Sequence, residues 1–193
     1  MLDLLRDYKR PHDKISELVK RKMLTQVNRG LFIPGPATLV EVPEDLLLAN
    51  HLWGPSYVSS DSALAYWGLI PERMYETISM TTHLAKSYQT PVGRFRYIRL
   101  PLPYYAYGIK SIALTASQTC MIAGKEKALC DKIITTQRLK LRSVKQARHY
   151  LMEDLRIQTE DLRALDTKEI EDYLTDAPKR ESLSILVKTL LDL

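Results

Sequence analysis

The residues with the clearest chemical use in this chain are cations. Arg6, Lys9, Arg10, Lys14, Lys20, Arg21, Lys22 and Arg29 crowd the first 30 positions, and side chains of this type neutralise phosphates and release the counterions held there. Other reactive constellations are weaker. Asp166-Thr-Lys168 has the acid-x-lysine spacing of some metal-dependent nucleases, but it stands where a helix should begin and Asp commonly caps one. Glu126 and Asp131 are five apart, so on a helix they point in different directions, and ion pairing with neighbouring lysines is the better reading than a shared metal. His12, His51, His83 and His149 are scattered, with no HExxH or HxH spacing. Cys120 and Cys130 lack CxxC spacing and read as two reduced, buried thiols. There is no Walker GxxxxGK[ST], GxGxxG or GxSxG motif, no catalytic constellation stands out, and neither metal nor cofactor is implied.

Charge along the chain sharpens the case for a polyanionic partner. Residues 1–35 carry a net +4, residues 36–85 a net −5, residues 86–148 a net +11 and residues 149–193 a net −5. Two basic blocks alternating with two acidic ones say more than the total of +5. The alternative is that these lysines and arginines only solvate surfaces. With 193 residues, 45% of them hydrophobic, the chain can bury a sizeable core. No apolar run is long enough to span a bilayer and the N-terminus is too charged for a signal peptide, so a cytoplasmic protein without a membrane partner is expected.

The elements that must position the cations are legible from hydrophobic period. Asp13 is a candidate N-cap, and Ile15, Leu18, Val19 and Met23 follow at helical spacing. Lys14, Glu17 and Arg21 fall on the opposite side, with Lys20 at the edge. Leu24–Val27 and Leu31–Ile33 read as short strands around Asn28-Arg29-Gly30, a three-residue hairpin loop in which Gly takes positive φ. A basic helix followed by a hairpin is the second half of a winged helix: the helix enters a major groove and the hairpin tip reaches a phosphate or minor groove. All eight cations are candidate phosphate contacts, and Lys14 and Arg21, which share the face away from the core, are the two expected to approach base edges. Only Met1–Arg10 precede Pro11, room for one short helix, so either a reduced winged-helix segment over residues 1–35 is expected or its true start lies upstream.

Pro34–Pro43 reads as a linker. A helix follows in "EDLLLANHLW", then a short strand in "YVSS" leading to a serine-capped helix, Asp61 to Trp67, stopped by Gly68. "YETISMT", "RFRYIRL", "GIKSIALT" and "TCMIA" alternate as strands of one sheet, with Arg94, Arg96 and Arg99 marking a wet, basic side. After Gly124 the pattern is helical: "KEKALCDKIITTQ", "SVKQARHYLMEDL" with a Ser143/Gln146 capping box, "DTKEIEDYLTD", and a terminal "ESLSILVKTLLDL" that docks on its own domain, a dimer contact being the alternative. The fold class is therefore α+β, with a mixed α/β domain over residues 43–193 and a helical C-terminus.

Several ordered blocks resemble one family. "YVSSDSALAYWGLIPE", Tyr57 to Glu72, resembles the signature segment of the AbiEi family of abortive-infection antitoxins, the antitoxin half of type IV toxin–antitoxin operons. "TPVGRFRYIRLP" with Gly93, "GIK" at Gly108 to Lys110, and "AGKEKALCDKI" with Glu126, Lys127, Ala128, Leu129 and Asp131 follow in the same order. "LVKRKMLTQVNRGLFI" is similar to that family's basic turn and wing, so the likeness runs from about residue 14 to about residue 134. The resemblance implies a non-enzymatic antitoxin whose N-terminal winged helix binds operator DNA and represses its own operon. It also implies a second domain that neutralises a nucleotidyltransferase-like toxin without a stable complex. Two alternatives stand beside it: an interaction protein without DNA binding, and a nuclease or nucleotidyltransferase relative using residues 86–148 as a nucleic-acid groove.

Overall fold

A computed structural model describes residues 8–193 as a mixed α+β chain built on two separate sheets. The small one is a hairpin of β1 (Leu24–Asn28) and β2 (Leu31–Pro34), preceded by α1 (Pro11–Lys20). The large one has six strands: β3 (Ser56–Val58), β4 (Thr77–Thr81), β5 (Lys86–Thr90), β6 (Gly93–Arg99), β7 (Ile109–Ala113) and β8 (Thr119–Ala123). Their spatial order is β5-β6-β4-β3-β8-β7, with β4/β6 and β3/β8 parallel and the other pairs antiparallel.

The centre of that sheet is covered on both sides, which is why Ser56, Tyr57 and Val58 are all buried. On one face lies α2 (Asp45–Leu52), whose Ala49 carbonyl accepts from the Tyr97 hydroxyl at 2.6 Å. On the other lie α3 (Ser60–Tyr66) and α4 (Lys125–Thr135), reached by Tyr57, whose hydroxyl donates to Asp131 of α4 at 3.0 Å. The edge strands β5 and β7 are largely wet, and exposed Lys86 and Lys110 discourage pairing with another chain.

The helical C-terminus wraps α4. It comprises α5 (Val144–His149), which runs on as a wider π turn over Tyr150–Asp154, then α6 (Thr159–Arg163), α7 (Thr167–Tyr173) and α8 (Arg180–Leu191). Helices α7 and α8 pack on α4, so α4 is buried nearly all round, including its charged Glu126, Lys127 and Asp131. The terminal helix docks on its own chain through Leu183, Leu186, Val187 and Leu190. No helix among the described residues is long and apolar enough to cross a membrane.

Local departures from the sequence reading have identifiable causes. Helix α1 begins at Pro11 rather than after Asp13, because Pro at the first helical position lacks only an N–H that would have no partner there. The hairpin tip is two residues, Arg29 and Gly30, with Asn28 paired to Leu31 and a bulge between Gln26 and Asn28 taking up the extra residue. Ser59 precedes α3 but does not cap it; its hydroxyl goes to Asp131 instead. Arg99 leaves the side of Arg94 and Arg96, since period-two alternation puts it with Phe95 and Tyr97. Ser143 does cap α5, accepting from Gln146 N at 3.2 Å, while Gln146 accepts from Arg142 N at 3.0 Å. The linker is tied at its far end to the β7–β8 turn, where Gln118 accepts from Glu44 N at 2.8 Å and donates to the Val42 carbonyl.

Candidate nucleic-acid interface

Helix α1 meets the hairpin through a sharp, hydrogen-bonded turn. Lys22 takes φ +57°, its N–H bonds the Val19 carbonyl at 3.0 Å, and Met23 N bonds the Leu18 carbonyl at 2.9 Å. That pair of bonds satisfies helix carbonyls that otherwise lack partners, with Lys in the left-handed position that Gly usually fills. The returning strand closes on the same turn, as Gly35 N donates to Met23 O at 2.9 Å and Ala37 N to Lys22 O at 3.0 Å. A Cβ on Gly35 would sit 2.2 Å from the Lys22 carbonyl oxygen, so only glycine permits this approach. The helix rests its stripe of Ile15, Leu18 and Val19, each half-buried, on β1.

The cations of this unit fall into two groups. Lys14 Nζ lies 2.9 Å and Arg21 Nη1 3.1 Å from the two oxygens of Glu17, and the bond from Lys14, then that from Arg21, holds the Glu17 carboxyl below its usual range. The two side chains expected at base edges are thus drawn together on one carboxylate. Arg10 lies a loose 3.8 Å from Asp13. Lys9, Lys20, Lys22 and Arg29 are exposed and have no carboxylate within ion-pair distance among the described residues. Arg6 lies outside the described residues.

Cations of the second basic block are dispersed. Arg96 pairs with Glu76 at 2.8 Å, Lys132 with Asp61 at 2.7 Å and Arg148 with Asp192 at 2.9 Å. Asp166 accepts from Lys168 N at 2.9 Å and so caps α7, and its own N–H donates to Glu126 at 3.1 Å. The acid-x-lysine spacing is therefore used for helix capping. Both cysteines are buried free thiols, and burial raises Cys120 to about 11.

The ion pairing with a neighbouring lysine expected of Asp131 is found behind the sheet, inside a larger constellation that spacing alone did not reveal, whereas Glu126 serves Asp166 N instead. Lys127 and Asp131, one turn apart on α4, form a 3.1 Å ion pair with both side chains fully buried. Asp131 also accepts from Ser59 Oγ at 2.7 Å, Tyr104 Oη at 2.8 Å and Tyr57 Oη at 3.0 Å. Lys127 Nζ donates to the Tyr104 carbonyl at 3.0 Å and stands 3.2 Å from the centre of that tyrosine's ring. Burial pulls Lys127 downward, against the upward effect of Asp131, and burial then Asp131 push Tyr57 and Tyr104 well above their usual value. An ion pair removed from water is held only where further hydrogen bonds satisfy it, as the three hydroxyls do here. The visible signal was that Tyr57, Ser59, Lys127 and Asp131 all belong to the blocks carrying the family resemblance.

Compared with known proteins, the chain matches no family model and no curated protein.

Proposed function

We propose that the protein is a DNA-binding regulator of the abortive-infection antitoxin type, which represses its own operon and counteracts a nucleotidyltransferase-like toxin. The observation that carries the DNA-binding part is the α1–hairpin unit, a sheet of its own with Lys20, Lys22 and Arg29 exposed at the helix end, the turn and the hairpin tip. These three cations, with Lys9 and Arg10, contact phosphates. Lys14 and Arg21 are withdrawn from base contact while Glu17 holds them, so affinity rests on backbone charge first. The antitoxin part rests on the ordered sequence blocks from about residue 14 to about residue 134.

The test is a titration of labelled duplex from the protein's own promoter, and of a random duplex, at two salt concentrations. Wild type should favour the promoter duplex. The Lys20→Gln, Lys22→Gln, Arg29→Gln triple variant should lose affinity and flatten the salt slope by about 2 to 3, at about 0.9 per phosphate contact. An unchanged slope in the variant would remove this surface as the interface, and equal, weak binding of both duplexes by wild type would favour an interaction protein without DNA binding.

A further inference from the structure

A cleft of about 370 Å³ opens between β6, the start of α3 and the end of α4, lined by Ser60, Asp61, Arg96, Ile98, Lys132 and Gln137 among others. That volume lies within the range of small-ligand sites. We propose that this cleft binds a phosphate ester, with Ser60, Arg96 and Lys132 as its donors. It is a site separate from the α1–hairpin surface.

Three serines of one turn divide the work. Ser59 donates to buried Asp131, while its N–H bonds the Ile78 carbonyl at 2.9 Å. Ser62 accepts from Ile78 N at 2.8 Å and donates to the Glu76 carbonyl at 3.1 Å. Between them, Ser60 is held at φ +52°, a conformation that costs a non-glycine residue free energy and persists only where its surroundings impose it. Ser60 lines the cleft, and its hydroxyl makes no hydrogen bond among the described residues, although the residue is only 3% exposed. The buried Lys127–Asp131 pair thus anchors the residue next to an unpartnered hydroxyl at the cleft.

The cations facing it are oriented but not exhausted. Glu76 engages Arg96 through Nε at 2.8 Å, leaving the terminal nitrogens for a ligand. Asp61 takes one donor of Lys132 at 2.7 Å, and an ammonium has three. Thr135 and Thr136 turn their hydroxyl protons to helix carbonyls, each at 2.6 Å, so Ser60 and Gln137 are the neutral donors left. A guanidinium, an ammonium and a hydroxyl converging from separate elements suit a tetrahedral oxyanion with acceptors in several directions better than a planar carboxylate. Because Asp61 and Glu76 balance the two cations, binding of phosphate alone is expected in the millimolar range.

The experiment uses the full isotope-labelled chain, titrated with inorganic phosphate, a nucleoside 5′-monophosphate and a short thymidine oligonucleotide, against chloride at equal ionic strength. Phosphate should give saturable amide shifts around Ser60, Arg96 and Gln137. Ser60→Gly, which removes the hydroxyl and accepts the backbone angle freely, should keep the fold and weaken binding about tenfold. Arg96→Gln should weaken it by at least as much. Tighter binding of the monophosphate than of phosphate identifies a free nucleotide as ligand; tighter binding of the oligonucleotide per phosphate identifies a strand. No saturable shift beyond chloride, or wild-type affinity in both variants, overturns the proposal. The Lys20, Lys22, Arg29 triple variant should bind phosphate as wild type does, so failure here and failure of the DNA interface are read separately.

Discussion

Replacing Glu17 with Gln should strengthen DNA binding. In the wild-type helix this carboxylate draws Lys14 and Arg21 to itself at 2.9 Å and 3.1 Å, so three formal charges amount to +1 on the face turned away from the hairpin. All three charges lie within about 8 Å, the screening length at physiological salt, so the carboxylate offsets both cations as seen by an approaching phosphate. Glutamine keeps the shape and a similar helix preference and leaves two free cations. Each cation that gains a phosphate steepens the salt slope by about 0.9, and two steepen it by about 1.8. Relative to a common value at 1 M salt, that is up to about 60-fold tighter binding at 0.1 M, and about 8-fold if only one cation reaches. Fluorescence anisotropy of a labelled duplex across a series of KCl concentrations measures both quantities. An unchanged slope and affinity, with helix content intact, would show that this helix face does not meet DNA.

Further consequences concern stability and the joint between α1 and the hairpin. Lys127→Met should cost about 3–5 kcal/mol in urea unfolding, because it leaves Asp131 buried without its cation. Alkali should unfold the protein cooperatively above pH 10. Tyr57, Tyr97, Tyr104 and Tyr173 are buried with raised pKa values against about 10 when unfolded, so their contribution is complete below pH 10 and lost as pH rises through the folded values. Each withdraws up to about 1.4 kcal/mol per pH unit, and the opposing groups are Lys127 and Lys179, whose pKa values burial lowers so that they favour the fold as pH rises. Absorbance at 295 nm should therefore stop short of all eleven tyrosines until the fold is lost; full ionisation with the fold intact would refute this. Gly35→Ala should open the hairpin locally by about 1–3 kcal/mol, read as faster amide exchange over Leu24–Pro34, because its Cβ meets backbone that cannot move aside.

How much of this was legible depended on whether one face of an element is buried. In β6, Phe95 and Tyr97 point to the core while Arg94 and Arg96 point out, and the alternation showed in the residue types. Strand β5 was not foreseen because among Lys86–Thr90 only Tyr88 offers apolar surface, as expected of a wet edge. The five-residue α6 is too short to establish a period. In α1, spacing already put Lys14, Glu17 and Arg21 on one face, and i,i+3 and i,i+4 pairing follows from that; a search for cations alone overlooks the acid between them. Ser59 shows the opposite limit. A helix from Asp61 points to Ser60 as its cap, whereas α3 starts at Ser60, which puts Ser59 at the N-cap position. Only the tertiary fold brings in a buried carboxylate 72 residues away that takes the Ser59 hydroxyl instead.

The central claim is that duplex DNA meets the chain at α1 and the hairpin. The most direct measurement is amide shift mapping on the full labelled protein during titration with a promoter duplex. The account predicts that the large shifts fall between Lys9 and Gly35, centred on Lys20, Lys22 and Arg29. Shifts concentrated instead on β6, α4 or the C-terminal helices, with residues 9–35 unmoved, would contradict it.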